Sequence, residues 1–148
     1  NMKIVVASDH CGFELKAKLM PELKKKYEVV DLGCHSTEPV DFPDIAQQIC
    51  KIILENEGMR GIMFCGTGVG AAIACNRVQG IRATVCHDIY TAHQCVEHDN
   101  VQIITMGGQI IGDLVASELI DAFLHAEFSS SEEFRRRVAK LERIGAPV

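Results

Sequence analysis

Two periods of apolar residues alternate along the whole chain. Lys3–Ser8 (KIVVAS) is a short β-branched run and reads as a strand. Phe13–Lys26 follows with Leu15, Leu19 and Leu23 every four residues, one face of a helix. Tyr27–Leu32 (YEVVDL) predicts a second strand, closed by Gly33. Pro43-Asp44 opens a helix carrying Ile45, Ile49, Ile52 and Ile53. Gly61–Phe64 (GIMF) predicts a third, fully apolar strand, and a glycine-rich turn leads into a helix over 69–78. Arg82–Cys86 (RATVC) and Gln102–Met106 (QIITM) predict two more strands, with a helix over Ile89–Glu97 between them. Asp113–Leu124 is amphipathic through Leu114, Leu119, Ile120 and Phe123. Ser129–Glu133 carries a Ser-x-x-Glu capping signal ahead of a last helix to about Ile144, with Phe134, Val138, Leu141 and Ile144 on one face.

Strand and helix thus alternate five times, with one helix more. Such alternation needs parallel strands joined by helical crossovers. The expectation is an α/β fold: a three-layer sandwich around a five-stranded parallel sheet, with an extra C-terminal helix. Residues 1–148 contain no linker, repeat or low-complexity tract and read as a single domain. Ligands of such sheets bind beyond the carboxyl ends of the strands, so polar residues following strands attract attention.

Composition narrows the function classes. Apolar residues at 47% and charged residues at 24% suit a globular chain. Aromatics at 5%, with no Trp, leave an aliphatic core and no base-stacking platforms, and a net charge of −5 offers no field for a phosphate backbone. Nucleic acid is excluded as a partner, although a few Arg or Lys can still hold one small phosphate. No apolar run reaches 18 residues, so no membrane span is expected, and the immediate strand at Lys3 leaves no room for a signal peptide. Seven cysteines, an odd number without a C-x-x-C pair, read as reduced thiols of a cytoplasmic protein. No zinc-type spacing occurs, so neither metal nor cofactor is expected.

Three strand ends carry candidate chemistry. Ser8-Asp9-His10-Cys11-Gly12 follows the first; Asp9 and His10 there suit sugar hydroxyls and a phosphate, or Asp9 merely caps the next helix. Cys65-Gly66-Thr67-Gly68-Val69-Gly70 follows the third. Alternate glycines let successive N–H groups converge on an anion at a helix N-terminus. The spacing is neither a dinucleotide fingerprint nor a Walker loop. Cys65, at the end of an apolar strand and facing that helix start, is placed as a reactive thiol. Cys50, Cys75 and Cys95, inside predicted helices, read as packing residues. His87-Asp88 follows the fourth strand, and Glu97-His98-Asp99-Asn100 precedes the fifth; the His98 imidazole can both donate and accept a proton.

Together with Val40-Asp41-Phe42-Pro43-Asp44, Asn76-Arg77-Val78-x-Gly80-Ile81-Arg82-Ala83 and Glu97-His98, these motifs resemble the sugar-phosphate isomerase family of ribose-5-phosphate isomerase B and the galactose-6-phosphate isomerase subunits. The similarity runs from about Met2 to Leu141. It implies a Rossmann-like fold, a homodimer as minimal unit with a tetramer as the larger option, and metal-free aldose–ketose isomerisation through an enediolate. It maps the base onto Cys65, the ring-opening histidine onto His98 and a hydrogen-bonding threonine onto Thr67. Substrate contacts map onto Asp9, His10, Gly66, Gly68, Val69, Gly70 and Asp99, and the phosphate is expected to fall to His10 and Arg137, with Arg137 reaching across a dimer. Ala71 stands where one branch has a glutamate base, so the chain resembles the cysteine branch.

The chain also departs from the pattern. Asp99 replaces an asparagine, Gln109 an arginine, and Glu133-Phe134 an Arg–His pair. Glu133 is expected to bond back to the backbone near Ser130 in a capping box. The sequence-level expectation is interconversion of ribose 5-phosphate and ribulose 5-phosphate. Galactose 6-phosphate, allose 6-phosphate and a tetrulose phosphate are alternative substrates, and a non-catalytic nucleotide- or sugar-phosphate-binding module is an alternative class.

Overall fold

A computed structural model describes residues 2–147. Along the chain run β1 (Lys3–Ser8), α1 (Phe13–Lys26), β2 (Glu28–Gly33), α2 (Phe42–Glu55), β3 (Arg60–Cys65), α3 (Val69–Asn76), β4 (Ala83–Val85), α4 (Ile89–Asp99), β5 (Ile103–Gly107), α5 (Asp113–His125) and α6 (Glu132–Arg143). The strands form one parallel sheet in the order β2-β1-β3-β5-β4. The expected three-layer Rossmann-like sandwich is observed.

Strand side chains alternate between the two faces, and this divides the core. Ile62 and Phe64 of β3 join Ile4, Val6, Ile104 and Met106 under α1, α4 and α5. Met63 and Cys65 point the other way, with Val5, Ala7 and Ile103, under α2 and α3. Because β3 is central and covered on both faces, its sequence after Arg60 is apolar rather than alternating. The leucines of α1 face the sheet as their spacing predicts.

Lys16 also lies on that buried face, only 2% exposed. Its Nζ donates to Asp31 Oδ1 at 2.7 Å and to the Cys34 carbonyl at 2.9 Å. Desolvation alone would raise the Asp31 pKa, but the Lys16 hydrogen bond and charge outweigh it and hold the carboxyl below its ordinary value. The ion pair tethers the segment after β2, which leads to the functional edge.

The expected capping box of the last helix does not form. α6 starts at Glu132, and its N-cap, Ser131, makes no side-chain cap bond. Instead Ser129 Oγ accepts from Ser131 N, and Ser129 N donates to the Glu97 carbonyl at the end of α4. Glu132 and Glu133 sit in the first turn, where they complement the helix dipole. Only Val138 of α6 is buried, against the rest of the fold.

Candidate active site

The carboxyl edge of the sheet gathers the first group of candidate residues. β1 ends at Ser8, and Asp9 N–H donates to the Phe64 carbonyl of β3, holding the first loop against the second. Asp9 is buried, and its Oδ1 accepts from Gly12 N at 3.0 Å. The Asp9 side chain therefore steadies the turn into α1, although Gly12 is the helix's N-cap. His10 Nδ1 accepts from Val40 N at 3.1 Å. An accepting Nδ1 carries no proton, so the ring's N–H lies on Nε2.

Cys65 closes β3, 5% exposed, and its Sγ accepts from Gly68 N at 3.0 Å. Gly68 is the N-cap of α3 with φ +85°, a conformation that glycine adopts without Cβ strain. A Cβ there would lie 3.2 Å from Thr105 Oγ1, and the buried Thr105 hydroxyl donates to the Gly68 carbonyl at 2.7 Å. The loop is thus clamped from beneath by β5. Gly70 is held from the side, since a Cβ on it would meet the Phe42 ring at 2.8 Å. Thr67 is exposed, and its Oγ1 accepts from Val69 N at 3.3 Å. The partly exposed Gly70 N–H meets no acceptor among the described residues, so the start of α3 offers a donor to an incoming oxygen.

His98 and Asp99 lie elsewhere. They occupy the last turn of α4, which returns from the carboxyl end of β4 to the amino end of β5. Gln102, just beyond, bonds Gly61 at the start of β3 and Arg82 before β4. Gly61 to Cys65 is four strand steps, about 13 Å. The helix that carries His98, α4, packs through Ala92, Cys95 and Val96 in the α1/α4/α5 layer, whereas Cys65 faces α2 and α3. Cys65 and His98 of one chain are therefore at opposite edges and in opposite layers. Gln94 presents its amide nitrogen to His98 Nδ1 at 2.8 Å, and the Phe134 ring stacks on His98 with centroids 4.0 Å apart and planes at 7°. Arg137, exposed on α6, holds its guanidinium 5.7 Å from the centroid of the same Phe134.

A thiol in a helix-start cradle at the carboxyl edge, with a His–Asp–Arg group at the other edge, can now be compared with known proteins. The family described as Ribose/Galactose Isomerase matches residues 4–141. This chain belongs to that family. It is 38% identical to ribose-5-P isomerase B of Listeria innocua, covering 97% of each chain. It is 36% identical to D-erythrulose-4-phosphate isomerase of Pectobacterium atrosepticum, covering 97% of this chain and 93% of the relative. The solved ribose-5-phosphate isomerase B of Clostridium thermocellum superposes with a TM-score of 0.92 at 41% identity, covering 97% of each chain.

Within this family frame, Thr105 and the Val40 backbone are neighbours of the cradle that no sequence motif marks, while Gln109 and His87, both singled out above, also adjoin it. Thr105 looked like an ordinary strand residue; only the sheet register places it under Gly68. Val40 contributes an N–H, which no side-chain motif reports. Gln109 lies over Gly66, its Oε1 3.3 Å from where a Cβ would sit. His87 accepts through Nε2 from Gly107 N at 2.9 Å, and burial lowers its pKa. Among the described residues, Asp9, His10 and Cys11 alone bring three potential metal-ligand atoms together, within 4.8 Å. Asp9 Oδ1 and His10 Nδ1 already accept backbone protons there, so the group is poorly suited to a cation. Cys95 behaves as a packing residue, its thiol pushed up to about 12 by burial.

Proposed function

We propose that this chain is a metal-independent aldose–ketose isomerase interconverting D-ribose 5-phosphate and D-ribulose 5-phosphate, with Cys65 as the base. The observation that carries the reading is Cys65 Sγ fixed by Gly68 N–H at the mouth of α3, beside the Gly70 N–H, which has no acceptor among the described residues. In the open-chain aldose, the Cys65 thiolate removes the C2 proton. The C–H electrons form the C1–C2 double bond, and the carbonyl π electrons move to O1. The resulting enediolate oxygen lies against the α3 donor, a preorganised term worth a few kcal/mol per donor. Cys65 returns the proton to C1, while the proton on O2 passes to O1. Asp9 and the His10 Nε2–H hold sugar hydroxyls, and Thr67 bonds a substrate oxygen. His98 opens the cyclic sugar by general acid–base transfer, with Asp99 beside it, and Arg137 holds the phosphate.

This chemistry needs Cys65 and His98 on one substrate, and their separation within the chain requires a second copy. A twofold dimer makes two equivalent sites, each taking the cradle from one protomer and His98, Asp99 and Arg137 from its partner. Val69 and Ile73, 51% and 59% exposed on the outer face of α3, provide apolar surface beside the cradle for that contact. The proposed setting is cytoplasmic, as expected of reduced thiols around a thiolate base.

The relatives from Listeria innocua and Pectobacterium atrosepticum differ by only two points of identity and carry different substrate names, which keeps a tetrulose phosphate as a second reading. A panel of five-, four- and six-carbon sugar phosphates, followed by ketose formation, tests the choice. Highest kcat/KM on ribose 5-phosphate is expected; a higher value on erythrose 4-phosphate or galactose 6-phosphate replaces the pentose assignment. In the same assay Cys65→Ala should lose turnover while retaining its fold and substrate binding. Exhaustive chelation should leave the wild-type rate unchanged.

A further inference from the structure

We propose that Phe134 is a positioning residue that holds the ring-opening His98 and the phosphate-binding Arg137 in one rigid group. The inference rests on the roles given to His98 and Arg137 above and adds the device that organises them.

The geometry is specific. Phe134 lies in the first turn of α6, and Arg137 and Val138 follow at i+3 and i+4 on the same helical face. Val138 anchors that face, being the one α6 residue that is buried. The Phe134 ring then covers His98 in a nearly parallel stack, 4.0 Å between centroids and 7° between planes. The Arg137 guanidinium lies within cation–π range of the same ring, at 5.7 Å. A single aromatic side chain thus touches both groups.

The remaining freedom of His98 is removed by Gln94, one turn earlier on α4, at 2.8 Å from Nδ1. An amide carries a donor and an acceptor, so a half-turn of the Gln94 side chain keeps Nδ1 bonded in either protonation state. Stacking fixes the ring plane, and the amide fixes rotation within that plane. The proton-bearing Nε2 is then the atom left for the sugar. The segment Ser129–Ser131 ties α6 to the end of α4 through Ser129 N and the Glu97 carbonyl at 2.9 Å, so the platform cannot drift from the histidine.

The test compares Phe134→Leu, Phe134→Trp and His98→Asn with wild type in the assembled enzyme. Proton NMR follows the His98 ring signals, and steady-state kinetics use ribose 5-phosphate. Phe134→Leu keeps an apolar side chain but removes the aromatic face. Its His98 ring protons should lose their ring-current shielding and move downfield. The kcat should fall about two- to tenfold and KM rise about two- to fivefold, the measured range of aromatic and cation–π contacts expressed as ratios. Phe134→Trp should restore the shielding and most of both parameters, which a purely structural role would not demand. Unshifted His98 signals in Phe134→Leu overturn the proposal. So do unchanged kcat and KM when His98→Asn is inactive. Full activity in His98→Asn instead overturns the underlying assignment of His98, and the two failures are thereby told apart.

Discussion

Replacing Gly68 by alanine tests whether the cradle depends on backbone conformation at one residue. Gly68 has φ +85°, and an L-residue in the left-handed region costs about 1–2 kcal/mol. The new methyl would also lie 3.2 Å from Thr105 Oγ1 and 3.3 Å from the Met106 backbone. Neither neighbour can retreat, because Thr105 and Met106 are fully buried and Thr105 is bonded to the Gly68 carbonyl. Overpacking of that kind adds about 1–3 kcal/mol. Gly58 supplies the control: its φ is +84° and nothing lies within 4 Å of its would-be Cβ. Both alanines share the backbone strain and the loss of unfolded-state freedom, so their difference isolates the contact beneath the cradle. Thermal melts should place Gly68→Ala below Gly58→Ala by roughly 2–12 °C, at about 2–4 °C per kcal/mol for a chain of this size. Relief of the contact requires the loop to rotate, which draws Gly68 N–H off Cys65 Sγ and turns the neighbouring donor. The kcat of Gly68→Ala should therefore fall on the order of a hundredfold, the effect of losing one preorganised donor, while Gly58→Ala retains wild-type activity. Equal melting temperatures for the two variants, or a Gly68→Ala kcat within twofold of wild type, would refute the reasoning.

Subunit complementation checks the shared site: Cys65→Ala and His98→Asn, each inactive alone, should on mixed refolding recover about a quarter of wild-type activity, since half the dimers are mixed and each has one intact site. No recovery, with mixed dimers confirmed by mass spectrometry, would place both residues in one protomer's site. His87 supplies a pH prediction. Burial lowers its folded pKa below the ordinary 6.5, so the unfolded chain binds the proton more readily; its contribution is fully present above about pH 6.5 and lost as pH falls through the folded value. Melts from pH 8 to pH 5 should show a shallower acid decline in His87→Gln than in wild type, and parallel curves would remove His87 from the balance.

Much of this protein was legible in one dimension because its signals are local. Four-residue leucine spacing in α1 and the unbroken apolar run of β3 report burial on one helix face and on two sheet faces. Alternating strand and helix leave few topologies, since parallel strands need crossovers of one hand. The cysteine and glycines at the end of β3 are contiguous, so their chemistry is written within six residues. Boundaries drifted where local and tertiary demands differ: β4 shrinks to Ala83–Val85 at the sheet edge, where only β5 offers hydrogen bonds. The Ser-x-x-Glu pattern before α6 satisfied a local rule, but Ser129 is engaged by Glu97 across the fold and the helix starts one residue later than a cap at Ser130 would place it. Only the folded chain brings Thr105 under Gly68, Val40 N–H to His10, and Phe134 onto His98. These pairs are joined by sheet register, loop return and helix packing, which carry no contiguous signature. The same is true of the separation between Cys65 and His98. Sequence order counts residues along the path, whereas the turn of α4 back to the amino edge decides which end of the sheet a residue reaches.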